Sequence, residues 1–82
     1  MHYRLIIKDE AKRKLRLLPK RARQEIGYRL FLMQEDLAGQ IKKLKADKNV
    51  YRLRVGDYRI IFELERDLFN VYDVGHRKDI YR

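Results

Sequence analysis

Residues 50–75, VYRLRVGDYRIIFELERDLFNVYDVG, decide the fold, because apolar and polar side chains alternate along most of this stretch. A period of two predicts strands with one buried face. Gly56-Asp57 and Arg66-Asp67 interrupt the alternation where two-residue turns would connect antiparallel strands, and glycine at the first turn position suits a type II′ turn. We therefore predict three consecutive strands: Val50–Val55, a second one that begins at Tyr58, and Leu68–Gly75.

The first turn also fixes which residues face one another across the hairpin. The expected pairs are Val55 with Tyr58, Arg54 with Arg59, Leu53 with Ile60, and Arg52 with Ile61. The apolar residues then share one face, and Arg52, Arg54 and Arg59 share the other. Like charges directly opposite each other destabilise a sheet, so this cluster favours a site that binds an anion. The alternative is a solvated face whose arginines keep the protein soluble.

The same register, continued through the second turn, brings the end of the chain to these arginines. The expected pairs are Leu64 with Phe69, Phe62 with Val71, Arg59 with Val74, and Ile60 with Asp73. Because Asp73 would then lie on the core face, we expect a bulge or a shift near the end of the strand. The chain that leaves Val74 passes close to Arg59. We expect six side chains to converge on one concave surface: Arg52, Arg54, Arg59, His76, Arg77 and Tyr81.

The first half of the chain predicts one strand and two helices. Residues 2–8 form the strand, and Asp9 offers an N-cap to the first helix. Pro19 ends that helix and suits the first turn of the next one. Residues 40–49 indicate a polar connection. The second helix carries one apolar stripe, which consists of Ile26, Leu30, Met33 and Leu37.

The resulting order, β-α-α-β-β-β, indicates an α+β fold in which a helical hairpin packs on one face of a small antiparallel sheet. Eighty-two residues correspond to a single domain, residues 1–82. The arginine-bearing face of the sheet is left uncovered.

Composition narrows the classes of partner. Twenty-one Lys and Arg against twelve Asp and Glu give a net charge of +9, which favours a polyanion such as nucleic acid, an acidic protein or an anionic membrane surface. The absence of cysteine excludes disulfides, thiolate catalysis and Cys-based zinc sites, and two histidines make a His-based metal site improbable. We expect no cofactor. Apolar runs of three or four residues are too short to span a membrane and no signal stretch is evident, so we expect a cytoplasmic protein without a membrane partner.

The chemistry of the expected cluster fits a phosphate ligand. Guanidinium groups remain charged at any relevant pH and bind phosphate oxygens bidentately. RNA cleavage without a metal requires that a 2′-hydroxyl attack the adjacent phosphate, and arginines stabilise the negative charge that develops there. A histidine or tyrosine with a shifted pKa can transfer protons, and an aromatic ring can instead stack on a base.

These residues resemble the RelE/ParE toxin superfamily. The resemblance extends over essentially the whole chain, and its most specific parts are the strand pair YRLRVGDYR at 51–59 and the ending VGHRKDIY at 74–81. It implies a RelE-like toxin of a type II toxin–antitoxin system that cleaves messenger RNA in the ribosomal A site. Its expected partners are an acidic, RelB-like antitoxin, the ribosome and messenger RNA. The alternatives are a ParE-like inhibitor of DNA gyrase and a non-toxic binding domain of the same fold.

The resemblance also implies roles for single residues. Arg52 and Arg54 match two basic positions before the hairpin turn, where the family often has lysine and where one lysine is thought to act as general base. Arginine is a poorer base, because its pKa lies above 12. Arg59 and Arg77 match phosphate-binding arginines. Tyr81 matches the C-terminal tyrosine that acts in catalysis or stacks on a base, and His76 stands where relatives have histidine or lysine.

A second set of basic residues lies along the two predicted helices and the connection after them. These residues either form a solvated face or contact ribosomal RNA phosphates. The set consists of Lys12, Arg13, Lys14, Arg16, Lys20, Arg21, Arg23, Lys42, Lys43 and Lys45.

Overall fold

The structure is a computed structural model that describes residues 2–37, 40–44 and 49–80, apart from the side chains of Gln40, Asp79 and Ile80. Two helices pack on one face of a five-stranded mixed sheet whose strand order is β1-β5-β4-β3-β2. The elements are β1 (Arg4–Ile7), α1 (Asp9–Leu17), α2 (Lys20–Met33), β2 (Gln40–Lys43), β3 (Val50–Val55), β4 (Tyr58–Glu65), β5 (Leu68–His76) and α3 (Arg77–Ile80). The predicted α+β class is confirmed.

The sheet differs from the prediction at its two edges. Residues 40–43, expected to lie in a polar connection, form β2 and pair antiparallel with β3. At the other edge β1 pairs with β5 in parallel, so the sheet is mixed rather than wholly antiparallel. β1 pairs with a strand that is distant in the sequence, and β2 is short and has a single apolar residue, Ile41. The local pattern therefore contains no signal for either pairing.

The helices begin and end close to their expected positions. Asp9 is the first residue of α1 rather than its N-cap; Lys8 occupies the cap position and makes no capping hydrogen bond with its side chain. Pro19 is the N-cap of α2 rather than a residue of its first turn. Within the described part of the chain, no helix is long and apolar enough to cross a membrane.

The core lies between the helices and one face of the sheet. The α2 stripe contributes three buried side chains, and its predicted fourth member, Leu37, lies beyond the helix and is partly buried against the core. On the sheet, Phe62 is fully buried and packs between Tyr51 and Phe69, with ring centroids 5.4 Å and 4.6 Å away. These contacts hold β3, β4 and β5 together from the helix side.

A bulge in β5 decides which of its residues lie on the face opposite the helices. Phe62 pairs with Val71 as predicted, but Ile61 pairs with Asp73, so Tyr72 is the extra residue. Ile60 consequently pairs with Val74 in the core, and Asp73 leaves the core face. The predicted pairs of Arg59 with Val74 and of Ile60 with Asp73 are therefore wrong. Arg59 pairs with Gly75 instead.

The two hairpin turns share a backbone geometry but not a residue type. Gly56 and Arg66, each the first residue of its turn, have φ of 59° and 57°. A left-handed residue costs about 1–2 kcal/mol unless it is glycine. We expect Arg66→Gly to raise the free energy of unfolding by about 1 kcal/mol, since Arg66 is exposed, and Gly56→Ala to lower it by about 1–2 kcal/mol. Urea denaturation of the two variants measures both changes; destabilisation by Arg66→Gly would contradict this account.

Candidate functional site

The face of the sheet opposite the helices carries the predicted arginine cluster. Leu53 and Ile60 pair across the hairpin and are fully buried against the helices. Their neighbours Arg52, Arg54 and Arg59 therefore lie on the opposite face, called the arginine face below. Arg54 and Arg59 are directly paired, so their Cα atoms lie about 4.5–5.5 Å apart. The predicted register of the first hairpin is confirmed at every pair.

The edge strand β2 adds a fourth cation to this face. Lys42 pairs with Arg52 and is exposed. Paired residues share a face of the sheet, so Lys42 extends the row that begins at Arg52. Lys43 pairs with Tyr51, which packs against the core, and so belongs to the helix side. The alternation of β2 therefore separates two adjacent lysines that the sequence analysis had grouped together.

The turn between β3 and β4 brings Arg77 to the end of the arginine face. The backbone N–H of Arg77 donates to the carbonyl of Asp57 at 2.8 Å, and its Nε lies 4.0 Å from Oδ1 of the same residue. Arg54 donates from its Nε to the carbonyl of Gly56 at 3.3 Å. Arg54 and Arg77 thus contact adjacent residues of one turn.

His76 lies on the other side of the sheet, so the predicted convergence of all six side chains is wrong for this residue. His76 pairs with Tyr58, which packs against the core, and the two rings meet edge to face with centroids 5.7 Å apart. The bulge is the cause, because the extra residue, Tyr72, reverses the alternation from Asp73 onward. Tyr81 and Lys45 lie outside the described residues.

The comparisons with known proteins decide the family. The family model described as the ParE toxin of the type II toxin–antitoxin system parDE matches residues 5–81. The chain belongs to this toxin family. The toxin is also 50% identical to toxin RelE3 of Methanocaldococcus jannaschii over 46 residues, which span 56% of the chain and only 52% of that relative.

Solved structures place the toxin in the RelE/ParE superfamily as well. It matches the RelB-RelE antitoxin–toxin complex from Methanococcus jannaschii with a TM-score of 0.80 and 32% identity, over 93% of this chain and 94% of that one. The archaeal RelE-RelB complex from Pyrococcus horikoshii matches with a TM-score of 0.77 and 26% identity, over 96% and 99% of the two chains. The predicted superfamily is therefore confirmed.

Some basic residues of the toxin's helices form ion pairs and others do not. Lys14 is half-buried, and its Nζ donates to Asp73 at 2.8 Å. Arg13 pairs with Glu10 at 2.6 Å, and the hydrogen bond from Arg13 lowers the pKa of the Glu10 carboxyl. Arg21 lies 3.5 Å from Glu25. The remaining members of the set are exposed and form no ion pair within the described residues: Lys12, Arg16, Lys20 and Arg23.

One polar group near the arginine face was missed in the sequence analysis. The extra bulge residue, Tyr72, donates a hydrogen bond from its hydroxyl to Glu63 at 3.0 Å, and Lys8 Nζ lies 5.7 Å from the ring centroid. The hydrogen bond to the Glu63 carboxylate raises the pKa of the Tyr72 hydroxyl. Glu63 pairs with Asn70, so Tyr72 lies at a diagonal position from Glu63, within reach of a long side chain.

The described part of the toxin contains no group of three or more His, Asp or Glu side chains that could hold a metal ion. The predicted site residues that the structure brings together form a cationic surface. It consists of Lys42, Arg52, Arg54 and Arg59, with Arg77 at one end. Guanidinium and ammonium groups are side chains that can bind phosphate groups and stabilise additional negative charge on them.

Proposed function

We propose that this toxin is an endoribonuclease that cleaves messenger RNA in the ribosomal A site. The observation that supports the proposal is the arginine face: three arginines and Lys42 occupy adjacent positions on the side of the sheet opposite the helices. Opposed like charges destabilise a sheet, and a bound polyanion would offset that cost. The similarity to RelE toxins supports the same class of activity.

In the proposed reaction the nucleophile belongs to the substrate. The 2′-oxygen of a nucleotide bonds to the adjacent phosphorus and loses its proton, the bond from phosphorus to the 5′-oxygen breaks, and the leaving oxygen gains a proton. The products are a 2′,3′-cyclic phosphate and a 5′-hydroxyl. Arg52, Arg54 and Arg59 hold the phosphate and stabilise its added charge. Arg77, which lies beside the turn between β3 and β4, contacts the phosphate from that end. The chemistry needs no metal, since these cations carry the electrostatic part.

The experiment is single-turnover cleavage of messenger RNA on programmed ribosomes, with the cut mapped by primer extension. We expect a cut within the A-site codon and a cyclic phosphate at the new 3′ end. A ParE-like gyrase inhibitor is the second candidate, because the matching family model is that of ParE toxins. Inhibition of gyrase supercoiling by a toxin that leaves messenger RNA intact would decide for that candidate.

Lys42 and Lys43 form a matched pair for testing the RNA surface. They are adjacent and exposed in one strand, but only Lys42 lies on the arginine face. The association constant for single-stranded RNA falls as the salt concentration rises, and the slope of this dependence on a log–log plot reports the number of phosphate contacts. We expect Lys42→Ala to reduce the magnitude of that slope by about 0.7, the value for one lost phosphate contact. Lys43→Ala is expected to leave the slope unchanged. Equal effects from the two substitutions would show that β2 does not orient Lys42 toward RNA.

The proposed protein partner is an acidic antitoxin of the RelB type. The matched solved structures are antitoxin–toxin complexes, and the net charge of +9 favours an acidic ligand. We expect antitoxin binding to weaken as salt rises, because charge complementarity across the interface is screened. Titration of the purified complex between low and high ionic strength measures this dependence; a salt-independent affinity would count against an electrostatic contribution.

A further inference from the structure

A cleft of about 370 Å³ opens on the helix side of the sheet, between α1 and the ends of β4 and β5. Leu18 and Val74 line it, and Leu17 stands at its margin with 74% of its surface exposed. A leucine that is exposed on a helix and borders a cleft makes a small contribution to the core. Its apolar surface is available to a ligand.

One wall of the cleft is aromatic and polar. Tyr58 and His76 form it, with their rings edge to face. The backbone N–H of Lys78 donates to Nδ1 of His76 at 3.2 Å. In the neutral ring the proton is therefore on Nε2, which has no hydrogen-bond partner among the described residues. The wall thus offers ring faces together with a hydroxyl and an N–H group.

The cations at the rim are already paired. Arg13 and Lys14 line the cleft, but Arg13 pairs with Glu10 and Lys14 with Asp73. The rim is consequently close to neutral. The cleft therefore favours a flat, partly apolar group that carries hydrogen-bond acceptors and donors at its edge, and a phosphate group fits it less well.

The cleft adjoins the arginine face around one edge of the sheet. Gly75 lines the cleft and is also the strand partner of Arg59. The edge strand β1 pairs with β5 only as far as Val71, so among the described residues no strand pairs with the outer edge of β5 from Asp73 to His76. Gly75 adds no side chain of its own between Arg59 and the cleft.

We propose that the cleft binds the base of a nucleotide next to the phosphate held on the arginine face. This inference rests on the proposed function, and its ligand is one nucleotide unit of single-stranded RNA. The base stacks against the aromatic wall, Leu17 covers its other side, and its polar edge meets the Tyr58 hydroxyl and the His76 Nε2–H. An apolar side chain of a protein partner would leave both polar groups without partners, so RNA is the occupant that the lining favours.

The test uses an RNA trinucleotide with 2′-O-methyl groups, which cannot be cleaved, and backbone amide chemical shifts of the labelled toxin. We expect the amides of Leu17, Gly75 and His76 to shift together with those of Arg54 and Arg59. A trinucleotide that lacks the bases is expected to shift only the arginine-face amides.

Variants measure the contribution of the cleft to affinity. We expect His76→Ala to weaken trinucleotide binding by about tenfold and Leu17→Ala by about threefold, the scale of a lost stacking partner and a lost apolar contact. Phe31→Ala is the matched control, because Phe31 is 64% exposed on α2 and does not line the cleft. It is expected to leave the affinity unchanged.

The possible outcomes separate this inference from the proposed function. Shifts confined to the arginine face would overturn the cleft as a base site and leave RNA binding by the toxin intact. No shift at either place would overturn the cleft as a base site, and cleavage on programmed ribosomes tests the proposed function independently. Cleft shifts that occur only when an antitoxin is added would show that the cleft is a protein contact and would overturn the inference.

Discussion

Arg59→Ala is expected to slow single-turnover cleavage on the ribosome by about 10²-fold or more. Arg59 lies at the centre of the arginine face, paired with Arg54 on one side and with Gly75 on the other. In the proposed reaction it faces the phosphate on which charge develops, and loss of one such donor reduces rates by about 10²–10³-fold. The rate is measured with ribosomes saturating, so that binding and chemistry are separated.

The control for this variant is Arg16→Ala. Arg16 is an exposed arginine of α1 and forms no ion pair within the described residues, so its removal deletes the same charge away from the arginine face. We expect Arg16→Ala to weaken ribosome binding and to leave the bound-state rate nearly unchanged. Thermal denaturation of both variants shows whether either has lost stability. If folded Arg59→Ala toxin cleaves at the wild-type rate, the arginine face is not the active site.

The arginine face was predictable because every step that leads to it is local. Alternation from Tyr51 to Val55 gives the strand its two faces, and a two-residue turn at Gly56-Asp57 allows one register. A shift of one residue would bury Arg52 and Arg54, so the competing registers are strongly disfavoured. The register of the structure is the predicted one.

The position of His76 was not predictable in the same way. A single extra residue, Tyr72, reverses the faces of everything that follows it in β5. Regular alternation would put Asp73 on the core face, which predicted a bulge or a shift near the end of the strand. Alternation does not tell which residue is the extra one. The structure places the bulge before Asp73, which pairs with Lys14 of α1, and His76 consequently faces Tyr58 on the helix side.

Residues 2–8 were predicted as a strand and contain β1, but the pairings at the two edges of the sheet escaped prediction for a different reason. β2 has only Ile41 as an apolar residue, and its pairing with β3 crosses a connection of several residues. β1 pairs with a strand more than sixty positions away, Arg4 opposite Leu68. Local patterns carry little information about pairings of this kind, although β2 decides that Lys42 and not Lys43 joins the arginines.

Phe62→Ala is expected to lower the free energy of unfolding by about 3–5 kcal/mol, because it leaves a cavity where a buried ring contacts two others. A domain of this size is stable by about 5–15 kcal/mol, so the variant retains little stability. Phe62 lies beside the bulge and on the reverse side of the strands that carry the arginines. Urea denaturation measures the change. We expect unfolding to begin at such low urea concentrations that the baseline of the folded state is short or absent.

The same substitution at Phe31 is the matched control, since it removes an identical ring from an exposed position on α2. We expect Phe31→Ala to change the free energy of unfolding by less than about 0.5 kcal/mol. Phe62→Leu, which keeps most of the apolar volume, is expected to lie between the two. If Phe62→Ala and Phe31→Ala were equally stable, the three rings would not hold β3, β4 and β5 together. The register that sets Arg54 opposite Arg59 would then depend on the hairpin turn and backbone hydrogen bonds alone.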